Sequence, residues 1–249
     1  MVSNLSALAD MKSIALITGA NKGLGFETAR QLGAEHGFTV LLACRDDSRG
    51  REAENTLRAQ GLDAHFVRLD VTDENSIRAG AQWVAQRFEK LDVLVNNAGI
   101  MLEHDPKIAG VALQTWRQTF DVNLFGVVAV TNAFLPLLEK SGAPRIVNLG
   151  AVLGSLSEIS KPQMKTWIRA SYSASKAALH AFTVELAQEK SGTNFKINAA
   201  HPGWAKTDMG GPNALLSAER GAKTIIQLAT LPDDGPTGGL FHMGKPMNW

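Results

Sequence analysis

Tyr172 and Lys176 stand four residues apart in the polar run Ser171-Tyr172-Ser173-Ala174-Ser175-Lys176, which opens an amphipathic segment reaching Lys190. If the run is helical, both side chains lie on one face, within reach of a common small molecule. A phenol beside an ammonium suits proton transfer. A free tyrosine has a pKa of about 10, and lowering it toward neutrality requires about 4 kcal/mol. A neighbouring ammonium and a bound cationic cofactor together could supply that, giving a phenol that exchanges a proton near pH 7. Tyr-x-x-x-Lys also occurs on ordinary solvated helix faces, so its meaning rests on the elements that position it.

The first such element lies near the start. Residues 13–18 form an apolar run that reads as a strand buried on both faces. The turn Gly19-Ala20-Asn21-Lys22-Gly23-Leu24-Gly25 follows, and then a helical pattern over 26–35. Strand, glycine turn and helix N-terminus make an anion site: small residues admit a pyrophosphate, and the free N–H groups of the first helical turn point at it. A nucleotide loop of this kind usually carries an acid about 20 residues past the glycines for the ribose hydroxyl, whereas a base accommodates a 2′-phosphate. Arg45 occupies that place, at the end of a second strand (38–44), and Lys22 adds a cation inside the turn. The pair favours NADP over NAD, although Asp46 and Asp47 stand close by.

Strands at 64–69, 91–95, 145–150, 195–200 and 239–243 alternate with helical patterns at 47–60, 73–88 and 113–139. That alternation predicts an α/β protein: one doubly wound, seven-stranded parallel sheet with helices on both faces, residues 1–249 forming one domain behind a short extension, 1–12. Strand ends meet the ligand in such sheets. Asp70-Val71 is a plausible edge for an adenine ring, and Asn96-Asn97-Ala98-Gly99 supplies small and amide residues at the next strand end. Asn123 falls inside a long helical pattern, where an asparagine is usually a surface residue or a satisfied core amide. Segments 151–170 and 204–217 break the rhythm at the same sheet edge. Their Leu153, Leu156, Met164, Trp167, Trp204 and Met209 could line an apolar substrate pocket, or pack under loops.

With 25 Lys and Arg against 24 Asp and Glu, the chain has a formal charge of +1 and no long run of one sign. A nucleic-acid footprint or an anionic membrane surface is not expected; a small molecule is. A single cysteine, Cys44, excludes an intrachain disulfide and fits a reducing cytosol. Six histidines lie scattered without metal-ligand spacing, so no metal site is expected. The start lacks signal-peptide character and no later run looks long enough to cross a bilayer, which predicts a soluble, cytoplasmic protein.

Taken together, these residues resemble the short-chain dehydrogenase/reductase family over essentially the whole chain. The matches run in order: Thr18-Gly19-Ala20-Asn21-Lys22-Gly23-Leu24-Gly25, Asn96-Asn97-Ala98-Gly99, Asn123, Tyr172-x-x-x-Lys176 and Pro202-Gly203. Gly-Ala-Asn-Lys-Gly at 19–23, Pro-Gly-Trp-Ala-Lys-Thr-Asp-Met at 202–209 and the tail from Leu231-Pro232 to Trp249 look most like the NADPH-dependent carbonyl reductases. The resemblance implies a single-domain Rossmann fold and hydride transfer from NADPH to a ketone or aldehyde, with Tyr172 donating the proton. Lys176 would bind the nicotinamide ribose and hold down the Tyr172 pKa, and Asn123 would position a water behind Lys176. Gly99, Pro202, Gly203, Trp204 and Thr207 would join the glycine turn, Asn97 and Ala98 against the cofactor. Homo-oligomers through the helices starting near Leu113 and Tyr172 are possible, though the insert before Tyr172 could obstruct them.

One departure stands out. The family places a serine a few residues past the fifth strand to hydrogen-bond the substrate oxygen, and this chain has Ala151 there. Losing such a donor typically costs about 10²–10³ in rate. Three explanations compete: an introduced Ser→Ala replacement, which is favoured; substitution by Ser155 or Ser157 from the following loop; or a protein that is not a working reductase. Imine or alkene reduction, where alanine could be native, and non-catalytic NADP(H) sensing are the rival functions.

Overall fold

The computed structural model describes residues 12–103 and 108–249, so most of the expected N-terminal extension lies outside the described residues. Eight strands form one sheet in the order β3-β2-β1-β4-β5-β6-β7-β8. They are β1 (Ile14–Thr18), β2 (Thr39–Cys44), β3 (Ala64–Arg68), β4 (Val93–Asn96), β5 (Arg145–Leu149), β6 (Lys196–Ala200), β7 (Leu240–His242) and β8 (Lys245–Met247). The first seven pair in parallel, and the order reverses between β1 and β4, where an open α/β sheet presents its crevice.

Alternate strand residues feed two cores. Leu16, Leu41, Leu94 and Ile146 pack with Ile77 and Val84 of α3 (Glu74–Phe88) and Phe134 and Leu138 of α5 (Gly126–Leu138). Leu186 of α7 (Ala170–Glu189) completes that face. Ile17, Val40, Val95 and Val147 pack on the other face with Leu32 of α1 (Gly23–His36), Leu57 of α2 (Asp47–Ala59) and Ile225 of α8 (Ala218–Ala229). Both faces are covered, which is why β1, β2 and β4 read as uninterrupted apolar runs.

Three features differ from the sequence expectation. The sheet has eight strands, not seven, because Met243 and Gly244, at φ 49° and 76°, turn the chain back into β8, antiparallel to β7. Positive φ at both central residues is the mark of a type I′ hairpin, and three residues are too few to show a periodicity. Second, α8 follows Ser217, whose side chain accepts from Arg220 N–H; no helix was expected there. Third, the helical stretch Leu113–Leu138 is long and apolar enough, by length and composition, to cross a bilayer, against the expectation of no such run. Its apolarity has a local cause: Val130, Phe134, Leu137 and Leu138 cover the sheet. It comprises α4 (Leu113–Phe120), a π turn at Asp121–Phe125, and α5.

Candidate active site

The crevice between β1 and β4 is stitched by Thr18 and Asn97. Thr18 Oγ1 accepts from the N–H groups of Asn97 and Ala98, each at 3.0 Å, and Asn97 Nδ2 donates to Thr18 O at 2.7 Å. A Cβ on Gly25 would lie 2.5 Å from Asn97 Nδ2 and 2.6 Å from Gly19 O, so only glycine lets α1 approach this closely. The N-terminus of α1 has no side-chain cap and no acid in its first turn. Its first N–H groups are thus free to receive an anion, and the cradle fits a dinucleotide pyrophosphate.

Toward the adenosine side, Arg45 and Asp70 line one cleft of about 880 Å³ with Arg51 and Arg68. Arg45 is exposed and has no hydrogen bond or ion pair among the described residues. The acids beside it are engaged: Asp46 caps α2 through Arg49 N–H at 3.0 Å, and Asp47 pairs with Arg68 at 3.2 Å. Asp70 Oδ1 accepts from Thr72 N–H and Oγ1, closing the turn after β3, with Val71 partly buried beneath. Lys22 pairs with Asp208 of the loop after β6, which draws it toward that loop.

Lys176 is buried, and its Nζ donates to Leu149 O at the end of β5 at 2.7 Å while lying 5.7 Å from the centre of the Tyr172 ring. The two side chains share one environment on α7. Asn123 sits in the π turn, and its amide both accepts from Ile100 N–H at 2.8 Å and donates to Ile100 O at 2.9 Å. Nδ2 also reaches Ser175 Oγ at 3.0 Å. The side chain is therefore a brace between the β4 loop and α7. Gly99 completes the corner: a Cβ there would stand 3.3 Å from Asn123 Oδ1 and 3.6 Å from Lys176 Nζ.

The electrostatics isolate what the protein alone contributes to the expected tyrosine shift. Burial pushes the Tyr172 phenol up to about 12 and the Lys176 ammonium down to about 8. The protein alone does not make the phenol acidic, because desolvation disfavours both charged forms. A phenol in that state holds its proton at neutral pH, the form needed to donate one.

Pro202 and Gly203 follow β6, and Gly203 takes φ 76° with Leu216 so close that a Cβ would meet it at 2.6 Å. Thr207 Cγ2 would lie 3.3 Å from a Cβ on Gly23, which places Thr207 at the glycine turn. Trp204 and Trp167 bring the two irregular segments together, with rings 5.2 Å apart and edge to face. Both are partly exposed, as is Met209; Leu153 is half-buried.

Ala151 is buried, and its N–H donates to His180 Nε2 at 3.3 Å; Val152 N–H donates to His201 Nδ1 at 3.4 Å. Neither following serine takes the missing hydroxyl's place: Ser155 Oγ donates to Asn248 O at 2.8 Å and lies 3.1 Å from Ser157 Oγ. Sequence reasoning missed these histidines, although His180 stands one helical turn past Lys176 and was visible by spacing. It also missed Glu103, whose carboxylate accepts from Ser171 N–H at the start of α7. That contact spans 68 residues and has no local signal.

Both imidazoles must stay neutral to accept these bonds. Burial, helped by the Lys176 charge, pushes His180 down to about 4, and burial with His242 and His180 nearby pushes His201 down to about 3. Folded values below the ordinary 6.5 mean that the unfolded chain binds the protons first, so stability is lost as pH falls below about 6.5. Two such groups give a slope approaching about 2.7 kcal/mol per pH unit between pH 6.5 and 4. Denaturant midpoints measured across that range should fall steeply, and His180→Asn should flatten the fall.

The sequence profile of the family described as short chain dehydrogenase matches residues 13–215. (+)-Neomenthol dehydrogenase of Arabidopsis thaliana is 32% identical, the alignment covering 94% of this chain and 97% of that protein. Carbonyl reductase (NADPH) 1 of Bos taurus is 33% identical, with 95% and 98% covered. Among solved structures, NADPH-bound carbonyl reductase from chicken fatty liver superposes with a TM-score of 0.85 at 29% identity, covering 96% of this chain and all of that one.

Proposed function

The chain belongs to the short-chain dehydrogenase family of oxidoreductases, and from that premise we propose that it reduces ketones and aldehydes with apolar or aromatic substituents, using NADPH. The observation that carries the reading is the Tyr172–Lys176 pair, set with Asn123 and Gly99 beside the glycine crevice. The names of the relatives support the carbonyl class and NADPH. When bound, the cofactor supplies the hydride. Tyr172 donates its proton to the carbonyl oxygen as that oxygen gains charge. Lys176, still largely protonated at pH 7 with its value near 8, favours the phenolate left behind. The α1 N-terminus would hold the pyrophosphate, and Arg45 would hold the 2′-phosphate. Trp167 and Trp204 offer the substrate an aromatic wall.

NADPH oxidation over a panel of ketones and aldehydes tests this directly; no turnover of any carbonyl, before or after a serine is placed at 151, sinks it. Arg45→Asp should move the kcat/KM ratio toward NADH by about 10- to 100-fold, matching a charge-assisted hydrogen bond of about 1.5–3 kcal/mol. Unchanged selectivity contradicts the Arg45 assignment. Ala151 favours a second reading, reduction of an imine or alkene, where the family serine has a different part. Product analysis with matched C=O and C=N substrates separates the two.

A further inference from the structure

We propose that Trp249 is a positioning residue that holds the segment after β5 closed over the catalytic helix, acting through His180 and the Asn248 backbone. The proposal rests on the reductase reading for its kinetic consequence and on geometry alone for the closure.

The β7–β8 hairpin returns the chain to the loop that begins at Ala151. There Asn248 O accepts from the buried Ser155 Oγ at 2.8 Å, and Trp249 O accepts from Ser157 N–H at 3.1 Å. Two consecutive carbonyls of the tail thus grip both ends of one short loop turn. Ser155 also caps the four-residue helix α6 (Leu156–Ile159) through Glu158 N–H at 3.2 Å, so releasing the tail loosens that turn as well.

The indole adds a second anchor. Its ring lies 5.0 Å from the His180 ring, tilted by 57°. His180 in turn accepts the Ala151 N–H at 3.3 Å and presses on Gly154, where a Cβ would come within 2.8 Å of the imidazole Cε1 and of Lys176 Cβ. A continuous line of contacts therefore runs from Trp249 through His180 to Ala151, the position at which the family keeps its substrate-binding serine. On α7 the same imidazole is one turn from Lys176 and two turns from Tyr172. Movement of the indole is transmitted to the segment that would face the substrate, not to the dinucleotide cradle at β1 and β4. The expected consequence is a change in substrate KM without a change in cofactor affinity.

The test uses Trp249→Ala and Trp249→Phe in the full chain, with hydrogen exchange of residues 151–159, kinetics on an aryl ketone and NADPH binding by fluorescence. For Trp249→Ala, exchange of that segment should quicken by about tenfold or more and KM rise by about fivefold, with kcat within about twofold. NADPH affinity should not change, and Trp249→Phe should keep exchange and KM near the parent's. Slow exchange in Trp249→Ala overturns the proposal, as does fast exchange with an unchanged KM or a lowered melting temperature alone. Exchange is read without substrate, so a parent that reduces no carbonyl defeats the reductase reading and leaves the closure to be decided by exchange.

Discussion

Tyr172→Phe lowers carbonyl turnover by about 10²–10⁴-fold, the usual worth of a positioned general acid. NADPH affinity and the melting temperature should change little. The Tyr172 hydroxyl makes no hydrogen bond among the described residues, so its removal leaves no buried partner unsatisfied. The ring stays, and with it the packing beside Lys176. Because burial holds the phenol near 12, nearly every parent molecule carries the proton at pH 7, and phenylalanine takes away that proton and nothing else of the site. Steady-state kinetics with a reducible ketone, beside a binding titration, checks the split; a variant that keeps more than a tenth of the parent rate removes Tyr172 from the mechanism.

Ala151→Ser raises turnover by about 10²–10³-fold, the effect of restoring one donor to a developing oxyanion. The backbone at 151 is extended, φ −154° and ψ 149°, a conformation serine adopts without strain. The hydroxyl enters a buried position whose backbone N–H is already taken by His180, so it adds a donor without disturbing that bond. The hydroxyls of Ser155 and Ser157 are engaged with each other and with Asn248, which leaves no nearby serine to mask the gain. If the variant reduces every carbonyl no faster than the parent, the replacement explanation falls, and the matched imine substrates become the informative ones.

What was legible in the sequence was what depends on neighbours in the chain. The glycine turn follows its strand at once, and Tyr172 and Lys176 share a face by the geometry of one helical turn, so both could be placed before any coordinates. β1, β2 and β4 were found because burial on two faces leaves uninterrupted apolar runs. The missed features depend on distant partners or on very short segments. The β8 strand exists because of two positive-φ residues, Met243 and Gly244. The capping of α7 by Glu103 and the pairing of Lys22 with Asp208 join residues far apart in the chain. The protein's own upward push on the Tyr172 phenol was not legible, because spacing reveals the neighbouring ammonium but not the burial.

The hairpin that ends the sheet bears on self-association. Its outermost strand, β8, is three residues long, with Pro246 at its centre and a lysine at its start. Proline offers no N–H to an incoming strand, and a charged neighbour discourages apolar stacking. That margin is a poor template for edge-to-edge addition, so concentrated solutions should resist fibril growth from it.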